Sequence, residues 1–164
     1  MITVILGGAA SGKSEVAERL AAGLAQPVTY VATWEPDPAD EDMQARVDAH
    51  RARRPASWST LECIDDLGRA VRSVAGTVLI DSLGTWVAAA RGGPLDVDGL
   101  CAGLRAREGD TVVVSDEVGL GVHPSTEAGR RFRDVLGAVN QQVAAVADHV
   151  WLVLAGRVLV LEDR

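Results

Sequence analysis

The N-terminal segment of the chain joins a short apolar run to a glycine-rich turn and a helical pattern. Residues 3–6 are apolar or β-branched, and the sequence G-x-x-x-x-G-K-S follows from Gly7 to Ser14. This is the phosphate-binding loop motif in the strand–loop–helix context that it requires. Glycines permit backbone angles at which successive N–H groups turn toward a phosphate, and the following helix N-terminus adds partial positive charge. A glycine-rich turn that merely ends in Lys-Ser is the alternative, but motif and context agree.

The motif therefore predicts that the chain binds a nucleoside triphosphate. Lys13 is expected to reach the β- and γ-phosphates, and the hydroxyl of Ser14 is expected to ligate Mg²⁺. The nucleotide-binding residues predicted from this loop are Gly7, Gly8, Ala9, Ala10, Ser11, Gly12, Lys13 and Ser14.

Composition limits the class of protein. The chain has 164 residues, which predicts one domain spanning 1–164, and its 48% hydrophobic content is enough for a core. A net charge of −7 argues against non-specific nucleic-acid binding. We expect no membrane span, because no run of about 18 apolar residues occurs, and no signal peptide, because the chain opens on the first strand. Cys63 and Cys101 form no metal-binding pattern and are interpreted as reduced thiols in a cytoplasmic protein.

Short apolar runs alternate with amphipathic stretches, which predicts an α/β domain with a mostly parallel sheet. The last two runs flank a turn and predict an antiparallel edge hairpin, whereas the first five are apolar enough to be buried on both faces. Ligands of such sheets bind at the carboxyl ends of the strands. The predicted strands are Thr3–Leu6, Val28–Ala32, Thr77–Asp81, Thr111–Ser115, Val150–Leu154 and Val158–Leu161. Helical stripes are Val16/Leu20/Leu24, Val97/Leu100/Cys101/Leu104 and Phe132/Val135/Leu136/Val139/Val143/Val146.

Acidic residues follow two of the predicted strands. Asp81 ends the run V-L-I-D, where a phosphate-loop enzyme places its second group directed at Mg²⁺. Asp116 and Glu117 follow Ser115 at the end of another strand and could position Mg²⁺ or accept a substrate proton. At both places the alternative is a helix cap or turn residue, since Asp and Ser are good caps.

His50 lies in a segment, Asp40–Arg53, whose pattern predicts a helix with Met43, Val47 and His50 on one face. A lone histidine on an apolar stripe is commonly a core residue. Here, however, Arg51, Arg53 and Arg54 follow at once in an otherwise acidic chain. Guanidinium groups bind phosphoryl oxygens, and an imidazole nitrogen can attack phosphorus to form a phosphoramidate. The residues alone leave both interpretations of His50 open.

The ordered set of motifs resembles the bifunctional adenosylcobinamide kinase / adenosylcobinamide-phosphate guanylyltransferases of cobalamin synthesis. The resemblance spans the chain, and its most specific parts are the block around His50 and the block from Ser115 to Pro124. The matching segments are GGAASGKS at 7–14, YVAT at 30–33, DMQARVDAHRARRP at 42–55, WSTLE at 58–62, LIDSLGTW at 79–86, SDEVGLGVHP at 115–124, GRRFRD at 129–134 and GAVNQ at 137–141.

The resemblance implies two reactions on one RecA-like phosphate-loop domain that assembles as a homotrimer. A nucleoside triphosphate, GTP or ATP, phosphorylates the hydroxyl of adenosylcobinamide; GMP is then transferred from GTP through a histidine to adenosylcobinamide phosphate. That histidine matches His50. Further implied nucleotide contacts are Ala32, Thr33, Trp34, Arg51, Ala52, Arg53, Arg54, Glu62 and Asp81. A buried carboxylate, as we expect Glu62 to be, suits the N–H donors of guanine.

The chain departs from the family pattern at several positions. Ala10 replaces an arginine of the phosphate loop, Asp116 replaces an asparagine, and Ser82 and His123 replace a cysteine and an aliphatic residue. None of these changes removes Lys13 or His50. Two alternatives remain: a phosphate-loop kinase for another small metabolite, and a nucleotide switch or ATPase module that acts on a macromolecule. The negative net charge argues against a nucleic acid as that macromolecule.

Overall fold

A computed structural model describes residues 1–34, 52–90 and 92–161. Its strands form one sheet in the order β3-β2-β4-β5-β1-β6-β7. The strands are β1 (Ile2–Gly7), β2 (Val28–Ala32), β3 (Ser59–Glu62), β4 (Thr77–Asp81), β5 (Thr111–Asp116), β6 (His149–Leu154) and β7 (Arg157–Leu161). The helices are α1 (Lys13–Ala22), α2 (Leu67–Arg72), α3 (Leu83–Ala89), α4 (Val97–Arg105) and α5 (Glu127–Ala144).

The predicted α/β architecture is confirmed. Strands β1 to β6 pair in parallel, and β7 pairs antiparallel with β6, as expected for a C-terminal edge hairpin. Alternate residues of the central strands enter two buried clusters, one on each face of the sheet. Val4 and Val113 pack on the face that includes α5 residues, whereas Ile5 and Val114 pack on the face of α1. The carboxyl ends of β1, β4 and β5 therefore meet at one edge of a rigid sheet.

The structure corrects several details of these expectations. β6 is not buried on both faces, because it lies beside the edge strand, and Val153 is its one fully buried residue. Two helical stripes end early: α1 ends at Ala22 before Leu24, and α5 ends at Ala144 before Val146. The helix predicted over Asp40–Arg53 lies outside the described residues, apart from 52 and 53, which are helical. None of the described helices is long and apolar enough to cross a membrane.

Arg107 holds together the amino edge of the sheet and the end of α2. Its Nη1 donates to the carbonyl oxygens of Val71 and Val74, at 2.6 and 2.8 Å. Its Nη2 donates to the carbonyl of Gly76 at 2.6 Å, and its Nε donates to Thr111 Oγ1 at 2.9 Å. Burial lowers the pKa of this guanidinium. One side chain thus binds carbonyls at a helix end and in the turn before β4, of which the Val71 carbonyl also accepts from the N–H of Val74 at 3.3 Å.

Replacing Arg107 with methionine is expected to lower the free energy of unfolding by about 2–4 kcal/mol, because half-buried carbonyls lose their donors. Urea denaturation followed by circular dichroism measures this value. The matched control is Arg105→Met on the exposed side of α4, for which a change within about 0.5 kcal/mol is expected. Equal stability of the two variants would show that the carbonyls find other partners.

Candidate nucleotide site

The glycine-rich loop between β1 and α1 has the backbone of a phosphate cradle. Gly12 adopts a left-handed conformation with φ 89°, and Ala10 does so with φ 54°. A Cβ at Gly7 would lie 2.5 Å from Ser11 Oγ and 2.9 Å from the carbonyl oxygen of Val153, so only glycine fits there. The N–H of Gly156, in the turn of the C-terminal hairpin, donates to the Ser11 carbonyl at 2.8 Å and fixes the loop from outside.

Lys13 is the first residue of α1, and its side chain folds back over the phosphate-binding loop. Its Nζ donates to the Gly8 carbonyl at 3.2 Å and forms an ion pair of 2.7 Å with Asp116 Oδ1. The lysine side chain is 13% exposed, against 34% for the aspartate, so the pair lies in a partly enclosed place. A cation held beside a ring of backbone N–H groups is what a di- or triphosphate requires.

Asp81 lies at the end of β4, across from the start of α1. Ser14 Oγ donates to Asp81 Oδ1 at 3.5 Å, and the hydroxyl of Tyr30 donates to Asp81 Oδ2 at 3.3 Å. Burial, reinforced by the negative charge of Asp81, raises the pKa of the Tyr30 phenol far above its usual range. Tyr30 is therefore a permanent hydrogen-bond donor that orients this carboxylate.

The donor set of Ser14 and Asp81 fits Mg²⁺. A hydroxyl and a carboxylate are hard oxygen ligands, and Mg²⁺ in nucleotide enzymes takes one or two protein oxygens and completes its shell with phosphates and water. Among the described residues no group of three His, Cys, Asp or Glu side chains could hold a metal ion alone. This pair would accordingly hold the ion together with a nucleotide.

Asp116 and Glu117 leave the end of β5 in different directions. Asp116 lies against Gly84, where any Cβ would collide with the carboxylate Oδ2, and it pairs with Lys13. Glu117 instead accepts hydrogen bonds from the backbone N–H groups of Gly119 and Leu120, at 2.6 and 3.0 Å. The structure thus brings Asp116 to the phosphate loop, and uses the Glu117 carboxylate within its own loop.

The arginines that follow His50 are anchored beside the phosphate loop. Arg53 donates through Nε and Nη2 to the two carboxylate oxygens of Glu18 on α1, at 3.1 and 3.3 Å. The guanidinium of Arg54 lies 3.6 Å from the ring centroid of Tyr30, the residue that binds Asp81. His50 and Arg51 themselves lie outside the described residues. Ala52 is exposed and carries no polar group.

The other predicted contacts lie at the ends of β2 and β3. Thr33 is fully buried; its hydroxyl donates to the Ser82 carbonyl at 2.5 Å, so the side chain is engaged inside the fold. Ala32 is buried as well, and Trp34 packs against the cluster on the α1 face. Glu62 ends β3, next to β2, and is exposed. The expectation of a buried Glu62 is wrong, because β3 is the opposite edge strand of the sheet.

A sequence model of the family described as "Cobinamide kinase / cobinamide phosphate guanyltransferase" matches residues 3–161. The match includes the phosphate loop, both acid-ended strands and the segment around His50. The chain belongs to this cobinamide kinase/guanyltransferase family.

Curated relatives agree with this family assignment. The chain is 40% identical over 165 residues to the bifunctional adenosylcobalamin biosynthesis protein CobP of Pseudomonas aeruginosa, covering 95% of this chain and 94% of the relative. It is 36% identical over 178 residues to the corresponding protein CobU of Salmonella typhimurium, covering 95% and 97%. The chain is therefore an enzyme of the cobinamide kinase / cobinamide phosphate guanyltransferase class.

Solved structures support the fold alone. The flagellar accessory protein FlaH of Methanocaldococcus jannaschii matches with a TM-score of 0.55 at 14% identity, covering 98% of this chain and 77% of that one. An ATPase of a bacterial type III secretion system matches with a TM-score of 0.56 at 14% identity, covering 92% and 50%.

Of the four positions at which this chain departs from the cobinamide kinase/guanyltransferase motifs, Ala10 and Asp116 lie at the phosphate loop. Ala10 is exposed at the loop surface, so nothing in the described structure fills the place of the family's arginine side chain. Asp116 supplies a carboxylate where the pattern has an amide, and this carboxylate forms an ion pair with Lys13. Ser82 caps α3 by accepting from the N–H of Thr85 at 3.3 Å, and His123 is exposed.

Proposed function

We propose that the chain phosphorylates adenosylcobinamide, and then transfers GMP from GTP through a guanylyl-histidine at His50 to adenosylcobinamide phosphate. One observation carries the proposal beyond the family assignment. The phosphate loop, the Ser14–Asp81 pair and the contacts of Arg53 and Arg54 meet at one edge of the sheet, so two of the arginines that follow His50 in the sequence lie beside the phosphate loop.

In the kinase step, the acceptor hydroxyl oxygen attacks the γ-phosphorus and gives up its proton to water, and the β–γ bridging P–O bond breaks, so that a nucleoside diphosphate leaves. The backbone N–H groups of the phosphate loop hold the transferred charge, and Lys13 exchanges Asp116 for phosphate oxygens. Ser14 and Asp81 would hold Mg²⁺, which would supply positive charge to the phosphates. The tyrosine hydroxyl that binds Asp81 keeps the second carboxylate oxygen oriented.

In the guanylyl transfer, an imidazole nitrogen of His50 attacks the α-phosphorus of GTP. The P–O bond to the β-phosphate breaks, pyrophosphate leaves, and a P–N bond to GMP is made. A phosphate oxygen of adenosylcobinamide phosphate then attacks the same phosphorus, the P–N bond breaks, and adenosylcobinamide-GDP is released with free His50. Arg51, together with Arg53 or Arg54 when released from its present partner, supplies positive charge to the five-coordinate phosphorus.

We further propose that the chain acts as a homotrimer in the cytoplasm. The apolar edge of the sheet supports self-association: Leu154 and the β7 residues Val158, Leu159, Val160 and Leu161 are 40–56% exposed, and a sheet edge of this kind is normally covered. The two free cysteines, Cys63 and Cys101, agree with a reducing compartment. Light scattering after gel filtration measures the mass, and a monomer would contradict the assembly.

The test of the proposed function is product analysis. The protein is incubated with adenosylcobinamide, Mg²⁺ and either ATP or GTP, and the corrinoids are separated and weighed by mass spectrometry. We expect adenosylcobinamide phosphate to form with ATP, with GTP or with both. We expect adenosylcobinamide-GDP to form only when GTP is present. Formation of the phosphate without any GDP derivative would leave a plain kinase.

Replacing Asp116 with asparagine is expected to tighten nucleotide binding by about three- to tenfold. In the free chain the phosphates must displace the Asp116 carboxylate from Lys13, and a partly enclosed ion pair of this kind opposes binding by about 1 kcal/mol. Titration calorimetry with a non-hydrolysable GTP analogue measures the change. Asp134→Asn, which removes a surface partner of Arg133, is the control, and no change is expected there. Weaker binding by the Asp116 variant would mean that the carboxylate helps to hold the nucleotide.

A further inference from the structure

An open cleft of about 650 Å³ lies on the α5 side of the edge at which the phosphate loop is found. One wall is formed by Leu6 and by residues 117–119, and the other by α5 residues that include Gly137 and Gln141. Leu6 directly precedes the first glycine of the phosphate loop, and Glu117 directly follows Asp116, the partner of Lys13. A molecule in this cleft is therefore adjacent to the place where the γ-phosphate is transferred.

Gly137 lines this cleft, and no packing contact explains a glycine at its position. It lies in the interior of α5, and a Cβ built on it would meet no heavy atom within 4 Å. Glycine in a helix interior costs about 0.5–1 kcal/mol relative to alanine. A mid-helix glycine often admits a neighbouring backbone, but no part of the chain that the structure describes lies against this one. The missing side chain leaves room for a molecule from outside the chain.

The lining of the cleft combines apolar surface and exposed amides with three charged side chains. Of these, Arg133 and Asp134 pair with each other, and Glu117 binds N–H groups of its own loop. Leu6 and Val118 are apolar, whereas the exposed side chains of Gln141 and Gln142 make no hydrogen bond within the described part of the chain. Each glutamine amide offers two N–H donors and one carbonyl acceptor. A ligand that presents both methyl groups and carboxamides would match this surface.

The loop beside the cleft is fixed, although its tip is apolar. The Glu117 carboxylate binds the N–H groups of Gly119 and Leu120, and Arg130 Nη1 donates to the carbonyls of Pro124 and Ser125, at 3.2 and 3.0 Å. The tip residues Leu120 and Val122 are nevertheless 77% and 97% exposed. A loop tied at both ends that presents two aliphatic side chains to water, next to the transfer site, suits contact with an apolar ligand.

We propose that this cleft, together with Leu120 and Val122, holds the corrin macrocycle of the acceptor. The proposal rests on the proposed function, which supplies the class of ligand. A corrinoid is a broad, flat ring whose rim carries methyl groups and primary carboxamides, which match the apolar and amide part of the lining. Its hydroxyl-bearing arm is flexible and extends from the rim, so that the arm reaches over the strand ends to the phosphates while the ring stays in the cleft.

The test fills the cleft without disturbing the helix. Gly137→Leu introduces a good helix former whose side chain enters open space, and Gln141→Leu removes one amide. Binding of cobinamide is followed by quenching of tryptophan fluorescence, and turnover by product analysis. We expect Gly137→Leu to raise both Kd and KM for cobinamide at least tenfold and Gln141→Leu to raise them about threefold, with GTP binding unchanged. Ala102→Leu, at an exposed position of α4, is the control.

The outcomes separate the inference from the function on which it rests. If wild type and both cleft variants bind cobinamide equally, the site lies elsewhere and the inference is overturned while the function stands. If Gly137→Leu changes the molecular mass in solution, a second copy of the chain occupies the cleft, and the inference is likewise overturned. If the wild type neither binds nor converts cobinamide, the proposed function fails and the inference fails with it.

Discussion

Replacing Lys13 with alanine is expected to slow both phosphoryl and guanylyl transfer by a factor of about 100 or more. A single preorganised donor to a developing phosphate charge accounts for effects of about that size. Lys13 is the one positively charged residue of the described phosphate loop, and its Nζ binds the Gly8 carbonyl and the Asp116 carboxylate. Steady-state kinetics for each reaction, measured separately with adenosylcobinamide and its phosphate, give the two factors.

The composition of the chain makes this test unusually direct. Lys13 is the only lysine in the sequence, so an amine-selective reagent can modify only this side chain and the N-terminus. GTP should protect Lys13 from modification, as read from the mass of the tryptic peptide that contains it. Lys13→Arg is the matched control, because it keeps the charge but presents a planar fork in place of a compact ammonium group. Full activity of the alanine variant, or modification unaffected by GTP, would remove Lys13 from the mechanism.

Replacing His50 with asparagine is expected to abolish the covalent GMP adduct, a loss of at least about 1000-fold, and to leave phosphorylation of adenosylcobinamide within a few-fold of wild type. A carboxamide nitrogen does not attack phosphorus, whereas a neutral imidazole nitrogen does. Intact-protein mass spectrometry after incubation with GTP and Mg²⁺ detects the added GMP.

The chain offers its own controls for this experiment. It has three histidines, and the other two, His123 and His149, are exposed in the loop after β5 and at the start of β6. His123→Asn and His149→Asn should each retain the adduct. Loss of the adduct in either of these, or its survival in the His50 variant, would place the nucleophile elsewhere.

The architecture was predictable because it depends on local signals. Apolar runs such as Val28–Ala32 and Thr77–Asp81 mark buried parallel strands, and the glycine pattern marks the phosphate loop. β3 lacks such a signal: its sequence S-T-L-E is mostly polar, since an edge strand needs few apolar residues. Helices α2 and α3, of six and seven residues, are likewise too short for a periodic stripe.

The sequence predicts which residues form the candidate site, but it does not predict which residues they contact. Lys13 and Ser14 follow from the motif, but their partners Asp116 and Asp81 are distant in sequence and become neighbours only through the strand order. The roles of Tyr30, which orients Asp81, and of Glu18, which binds Arg53, had no recognisable signal apart from the position of Tyr30 in a family motif. Pairings of this kind depend on tertiary geometry, as does the exposure of Glu62.

The most direct test of the central claim is a pulse and chase with GTP labelled at the α-phosphate. The protein is labelled in the presence of Mg²⁺, freed of nucleotide, and then mixed with adenosylcobinamide phosphate. The account predicts a label on the chain that is stable in alkali and labile in acid, as a phosphoramidate is, and that moves to the corrinoid during the chase. A folded, GTP-binding protein that takes up no label, or whose label stays on the chain, would contradict it.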